Sequence, residues 1–405
     1  MRKSKFIAIF AGCFLLQYNA NCADMTDGAW KNLDEQYQQN IDNKNIISGM
    51  LNNRIYYTDT YHSDDRRNEY NDAFIKSVLG VNLRFSDHFI VKTNIKFDVM
   101  PQASENLRQS QLAKGEDRFF DNQGAFINEL ILNYNYKNFS ALAGKFTADF
   151  GNAWRIENGI WVNELARQYR QSEKLGLGII QRVGDEKTVG EYVFGLSAFT
   201  NDRKNLDNSI ITTRDSAAKS DGTPGDTRNL DSYVLSTDIF YDFGNQEKLS
   251  YHFSYLNLAV NKRQNTIIAS NKISDEKAFA LNMKYEYPIN NNFLLDSFVE
   301  YTNIINLDGD TDKGVDFLTV NFTAYIFKDF SITLAKAKEK QVKFGENGID
   351  KSIEELSFGY KFDNLSPILK GLLFSVGYRQ SELDDKINPI TNKAFGFLIG
   401  HKIEF

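Results

Sequence analysis

The chain ends in "AFGFLIGHKIEF", residues 394–405, and the reading of this stretch decides the fold. Phe395, Phe397, Ile399, Ile403 and Phe405 fall on one set of alternate positions, and Gly396, Gly400, Lys402 and Glu404 fall on the other. Successive side chains of a strand point to opposite faces, so a period of two makes one apolar and one polar face, whereas a helix needs a period of 3.6. The same pattern recurs upstream. In "HFIVKTNIKFDV" (88–99), Phe89, Val91, Ile95 and Phe97 oppose Lys92, Asn94, Lys96 and Asp98. In "AFALNMKYEY" (278–287), Phe279, Leu281, Met283, Tyr285 and Tyr287 oppose Asn282, Lys284 and Glu286.

Carried along the whole chain, the alternation predicts about sixteen strands. They lie near 45–58, 73–86, 89–100, 125–137, 139–149, 172–183, 188–200, 232–243, 248–261, 277–288, 292–304, 315–327, 329–338, 352–363, 369–380 and 393–405. The connections alternate between short ones, such as 137–138 and 328–329, and long ones rich in Asp, Asn, Gly and Lys, such as 101–124, 150–171 and 201–231. The prolines, Pro101, Pro224, Pro288, Pro367 and Pro389, fall between the apolar-alternating segments instead of within them, Pro288 at the very end of 277–288. A ladder that needs every N–H donor requires that placement.

Short turns at one end, long loops at the other, an even strand number and a polar interior are the signature of a transmembrane β-barrel. Rings gather beside the short turns (Phe85 and Phe89; Tyr134, Tyr136 and Phe139; Tyr285, Tyr287 and Phe293; Phe327 and Phe330; Tyr360 and Phe362), where a girdle at one membrane interface belongs. In hydrocarbon each unpaired N–H or C=O costs several kcal/mol, so a sheet that crosses a membrane must close on itself. The expected fold is therefore all-β, one antiparallel barrel over 45–405 of about sixteen strands, with about eighteen as the other admissible count. A secreted sandwich or solenoid would also alternate, but its outer side would be charged instead of ring-bearing, and no fixed-length repeat supports a solenoid.

The amino terminus reads as an address. "MRKSK" is basic, "FIAIFAGCFLL" supplies roughly ten apolar residues, and "NCA" offers small residues before Asp24, so 1–23 is expected to be a secretory signal peptide. A lipoprotein reading through Cys13 leaves only about five apolar residues ahead of the cysteine. Cys13 and Cys22 are the only cysteines, so the mature chain has no disulfide. Residues 24–44 are a polar lead, expected in the periplasm. The net charge of −6 becomes more negative once Arg2, Lys3 and Lys5 are removed, which argues against a nucleic-acid partner. Beyond the signal no apolar run reaches the ~18 residues that a helical membrane span needs.

The terminal strand with its closing Phe resembles that of bacterial outer-membrane β-barrel proteins, in which this signature is read by the assembly machinery. The resemblance implies that Phe405 is the assembly signal and that the barrel sits among outer-membrane lipid and lipopolysaccharide. The third long connection, at about 150–171 within "NAWRIENGIWVNELARQYRQSEK" (152–174), is similar in position to the inward-folded constriction loop of sixteen-stranded porins. That likeness implies a porin: a water-filled channel for passive diffusion of ions and small hydrophilic solutes, with a homotrimer as an assembly such porins often form. "GKFTADFG" (144–151) also resembles a stretch of the phosphate-selective O and P type, although Thr147, Ala148 and Asp149 stand where that type has a lysine and prolines.

The inward phase of the early strands supplies Lys76, Arg84, Lys92, Lys96, Lys145, Lys174 and Arg182, and the loop supplies Arg155, Glu157, Glu164, Arg167 and Arg170. These, apart from Lys76, are the expected pore-lining residues. Charges of both signs set a transverse field, and rings of fixed charge bias which ions pass, here toward a mild local preference for anions. Glu286, Asp296, Glu300 and Glu355 are the acidic counterparts on later strands. The plainer alternative is that the loop's charges only solvate an outer loop.

Other classes find less support. His252 and Ser254 in "YHFSY" share a face, as a phospholipase-type nucleophile pair would, but any two lumenal polar residues give that spacing. "YHSDD" (61–65) could mimic a protease dyad, and an exposed loop is the simpler account. No two of His62, His88, His252 and His401 have metal-ligand spacing, no Gly-rich phosphate cradle is present, and no cofactor is expected. The polar segment 201–231 would suit a surface adhesin or receptor.

Overall fold

The computed structural model describes residues 46–99, 116–121, 123–201, 224–227, 229–260, 273–342, 348–364, 366, 369–384 and 389–405. The expected signal peptide, the polar lead and the middles of several long loops lie outside these residues.

The strands are β1 (Ile47–Ser63), β2 (Asn71–Arg84), β3 (Phe89–Val99), β4 (Arg118–Phe119), β5 (Gln123–Tyr136), β6 (Phe139–Phe146), β7 (Lys174–Asp185), β8 (Gly190–Asn201) and β9 (Ser232–Gly244), followed by β10 (Glu247–Leu258), β11 (Glu276–Asn290), β12 (Phe293–Ile305), β13 (Gly314–Ile326), β14 (Phe330–Val342), β15 (Asp350–Lys361), β16 (Leu372–Asp384) and β17 (Ile390–Glu404). Successive barrel strands pair antiparallel, and β17 pairs back onto β1 from Met50↔Glu404 to Ser63↔Asn392, which closes the cylinder. The two-residue β4 stands apart, running parallel beside β2 at Asp72↔Arg118. The barrel itself has 16 strands. No helix among the described residues is long and apolar enough to cross a membrane, so the crossing is left to the strands.

Directly paired residues share a face, so the register sorts every side chain. Outward rows carry exposed Phe253, Phe279, Leu281, Met283, Leu318, Phe322, Phe358 and Phe395. Inward rows carry Arg54, Lys76, Lys96, His252, Glu300 and Glu355. At the short-turn end the rings pack across strands, with centroids 5.0 Å apart for Phe89–Tyr134 and 5.9 Å for both Phe293–Phe327 and Phe330–Tyr360. The last residue is a ladder member: the Phe405 N–H donates to the Gly49 carbonyl at 2.9 Å, and the Gly49 N–H donates back at 2.7 Å. A Cβ on Gly49 would lie 2.7 Å from the Phe405 ring, so the glycine makes room for the terminal aromatic.

Three expectations need correction. Pro288 lies inside β11, opposite Leu294, immediately before a bulge and next to the short turn, where a missing N–H costs the ladder little. Lys145 falls in the outward row, opposite Leu130 and Leu175, instead of the inward one. It is fully buried and paired with Glu173 at 2.8 Å. The lumen, expected to be polar and to leave an aqueous channel, is filled in part, because an apolar cluster lies within it. Phe146, Phe150 and Tyr169 pack inside the barrel with Phe199, Val234, Leu256, Ala278, Ala280 and Phe317.

Candidate functional site

Residues 147–173, between β6 and β7, fill part of the lumen. Ala148, Phe150, Ala153, Val162, Ala166 and Tyr169 of this loop are buried to 2% exposure or less. A loop placed there brings backbone N–H groups with no ladder partner into a water-poor space, and each must find an acceptor.

Two inward glutamates supply those acceptors. The Glu300 carboxylate on β12 accepts from the backbone N–H of Asn152 (2.5 Å) and Ala153 (3.0 Å), from the Tyr169 hydroxyl (2.5 Å) and from Asn282 Nδ2 (2.9 Å). The Glu355 carboxylate on β15 accepts from three successive N–H groups, those of Ile160 (2.5 Å), Trp161 (2.8 Å) and Val162 (2.9 Å). Successive amides converging on one anion form a nest, and bonds to a charged acceptor are about twice as strong as neutral ones. Gly159 opens this turn at φ +98°, in the left-handed region, and a Cβ there would meet Glu355 Oε1 at 2.8 Å. Both acids were expected to act as lumenal ring charges. Their oxygens instead hold the loop.

The far end of the loop rests on β1, β16 and β17. Trp161 Nε1 donates to Thr58 Oγ1 at 3.1 Å. The indole lies against Gly396, where a Cβ would come within 2.4 Å of it. Arg54 pairs with Glu157 at 2.6 Å and Arg379 with Glu164 at 3.0 Å. Asn158 bridges β12 and β13 through Asp296 (3.1 Å) and the Tyr325 hydroxyl (2.7 Å).

The loop's other side carries its arginines. Arg155 and Arg170 both stack on the Trp154 ring, 4.3 and 4.5 Å from its centroid. Arg167 and Arg170 lie within electrostatic reach of Lys96; Arg167 also reaches Lys76, and Arg170 reaches Asp98 and Glu129. Lys76 Nζ sits over the Tyr56 and Phe74 rings, Lys96 pairs with Asp98 at 2.6 Å, and Lys92 lies 3.6 Å from Glu129. The side chains of Arg54, Lys92 and Lys96 keep 15–21% exposure, while Ser254, Ala280 and Thr302 on the opposite wall keep none. The lumen therefore has a filled sector and a solvent-reached, mainly basic one.

Of the residues singled out in the sequence, Lys92, Lys96, Arg155, Glu157, Glu164, Arg167 and Arg170 come together around this sector. Arg84 sits at the short-turn end, paired with Asp87 at 2.5 Å. Arg182 is also near that end, 3.6 Å from Glu191. Lys174 is buried where the loop rejoins the wall and donates to Asn201 at 2.6 Å. Sequence reasoning missed Arg54, Asp98, Glu129 and Arg379, although all lie on inward positions of alternating strands. The pair His252 and Ser254 is inward and sealed beneath the loop. Ser254 Oγ accepts the Gly151 N–H at 3.2 Å, and His252 Nδ1 is bound to Asp238 at 2.8 Å. In "YHSDD", Ser63 Oγ donates to Asn392 at 2.6 Å and Asp65 caps a short turn through the Arg67 N–H.

No family model matches the chain, and neither does any curated protein. Solved structures do. The chain is similar to OprB of Pseudomonas putida, with TM-score 0.57 and 11% identity over 92% of this chain and 97% of that one. It is also similar to the outer-membrane channel DcaP of Acinetobacter baumannii, with TM-score 0.50 and 13% identity over 88% of this chain and 96% of that one. At such identities the likeness is one of fold, a closed antiparallel β-barrel.

Proposed function

We propose that this chain is an outer-membrane porin that lets ions and small hydrophilic solutes diffuse passively between the inward loop and the wall of β1, β2, β3 and β5. The observation that carries this reading is the split lumen. A barrel packed solid all round could pass nothing, and here the inward side chains of β1 and β3 keep solvent contact opposite Arg167 and Arg170. Around that sector Arg54, Lys76, Lys92, Lys96, Arg167 and Arg170 outnumber Asp98, Glu129, Glu157 and Glu164. The charge balance favours a mild preference for anions. The purified protein in a planar bilayer should give steady conductance steps, with a reversal potential of anion-selective sign in a KCl gradient. Clear cation selectivity would retire the preference, and bilayers that stay silent would favour an adhesin or receptor.

A hydrolase is disfavoured by the burial of Ser254, whose oxygen is engaged by a loop amide. Phospholipid hydrolysis by the detergent-solubilised protein, abolished by Ser254→Ala, would revive it. Phe405, partly exposed and locked to Gly49, is the proposed assembly signal, and a homotrimer the proposed assembly.

A further inference from the structure

We propose that Asp149 and His252, with Asp238 orienting the imidazole, make a site for one first-row divalent transition ion, with zinc as its representative, which ties the start of the inward loop to the β9–β10 wall. One donor atom from each residue lies within 4.8 Å of the other two. All three residues are 2% exposed or less. They come from separate places in the chain: Asp238 and His252 are opposite one another across the β9–β10 ladder, and Asp149 opens the loop.

The hydrogen bonds that exist leave the right atoms over. His252 Nδ1 is bound to Asp238 Oδ1 at 2.8 Å, and Arg155 holds Asp149 Oδ1 at 3.0 Å. His252 Nε2 and Asp149 Oδ2 are buried and have no hydrogen-bond partner. A buried polar atom without a partner bears its whole desolvation penalty, so two on residues of one cluster call for a third body to serve them. An imidazole bound through one nitrogen to a carboxylate presents the other as a fixed, basic lone pair, the usual arrangement behind a metal-ligating histidine. Arg155 orients the Asp149 carboxylate in the same supporting way. Imidazole with carboxylate suits zinc or its first-row neighbours, whereas magnesium and calcium prefer oxygen alone. The ion would join two strands to a loop that elsewhere is held by amide–carboxylate bonds.

The test uses the whole barrel folded in detergent, stripped with a chelator and titrated calorimetrically with zinc chloride and, separately, magnesium chloride. One zinc per chain and no comparable magnesium binding is expected, with zinc-edge absorption of the wild type reporting nitrogen and oxygen ligands. His252→Gln and Asp149→Asn should lose the site, and Asp238→Asn should weaken it about 10–100-fold, as removal of an orienting partner does. Wild-type protein that takes up no stoichiometric zinc overturns the proposal and leaves an ordered water as the third body. So does zinc binding that survives both His252→Gln and Asp149→Asn. The wild-type titration and spectrum decide the matter even where a variant fails to fold.

Discussion

The inward rows of β2 and β3 and those of β10 to β12 obey the same alternation, yet one wall meets water and the other meets protein. On β3 a run of it reads Lys92, Asn94, Lys96 and Asp98, polar and mostly charged, with Lys76 beside it on β2 among Phe74, Val78 and Gly80. On β10 and β11 one stretch of it reads Ser254, Leu256, Ala278 and Ala280, short or apolar between His252, Asn282 and Glu276, and the loop's Phe150 and Tyr169 share its buried cluster. Glu300, beside them on β12, then holds the loop's amides. The contrast teaches that period two fixes which way a side chain points, while its size and charge fix whether the space beyond is a passage or a core.

The comparison breaks most severely when the clamps are removed. Glu300→Ala with Glu355→Ala takes away hydrogen bonds to charged groups worth about 1.5–3 kcal/mol each and strands buried amides. The loop should leave the wall, seen as a severalfold rise in single-channel conductance and new protease cuts within 147–173. Unchanged conductance and protection would show that the filled sector does not depend on them. Next in size, Trp161→Ala empties the contact with Gly396 and should cost about 3–5 kcal/mol in urea unfolding of the barrel. A cost below about 1 kcal/mol would mean that the indole is not packed as described.

Outside the barrel the expectation is set by lipid. Leu281→Arg places a charge on the outward row of β11 and should destabilise the lipid-embedded fold by about 2–4 kcal/mol near midplane. Arginine tolerated there at no cost would place that face in water. The gentlest change sharpens the other wall. Lys76→Glu with Lys96→Glu should move the reversal potential toward cations with the fold intact. Lys174→Gln, at a buried lysine satisfied by Asn201, should leave it near the wild-type value.

The barrel was legible because each strand carries its own evidence in two alternating rows, and consecutive glutamates show how local that code is. Glu354 points outward to Lys336 and Glu355 inward to three amides, as alternation requires. What Glu355 binds was not legible, since its partners are backbone N–H groups, which every residue but proline has. The loop's charges could be read from composition. Its docking depended on small residues such as Gly396 and Ala280 lying opposite it, a match between distant segments that no local pattern records. Lys145 was misassigned for a related reason: β6 ends at Phe146, and Gly144 at φ +131° disturbs the backbone just before it. The likeness of 144–151 to the phosphate-selective type rests on sequence alone.

The division of the lumen can be tested directly because the only cysteines, Cys13 and Cys22, precede the barrel. A charged methanethiosulfonate reagent would be added to open channels carrying Lys96→Cys or Ala280→Cys, two inward positions on opposite walls. The account predicts a stepwise current change for Lys96→Cys within the recording and none for Ala280→Cys. Equal modification of both, or modification of Ala280→Cys alone, would contradict it.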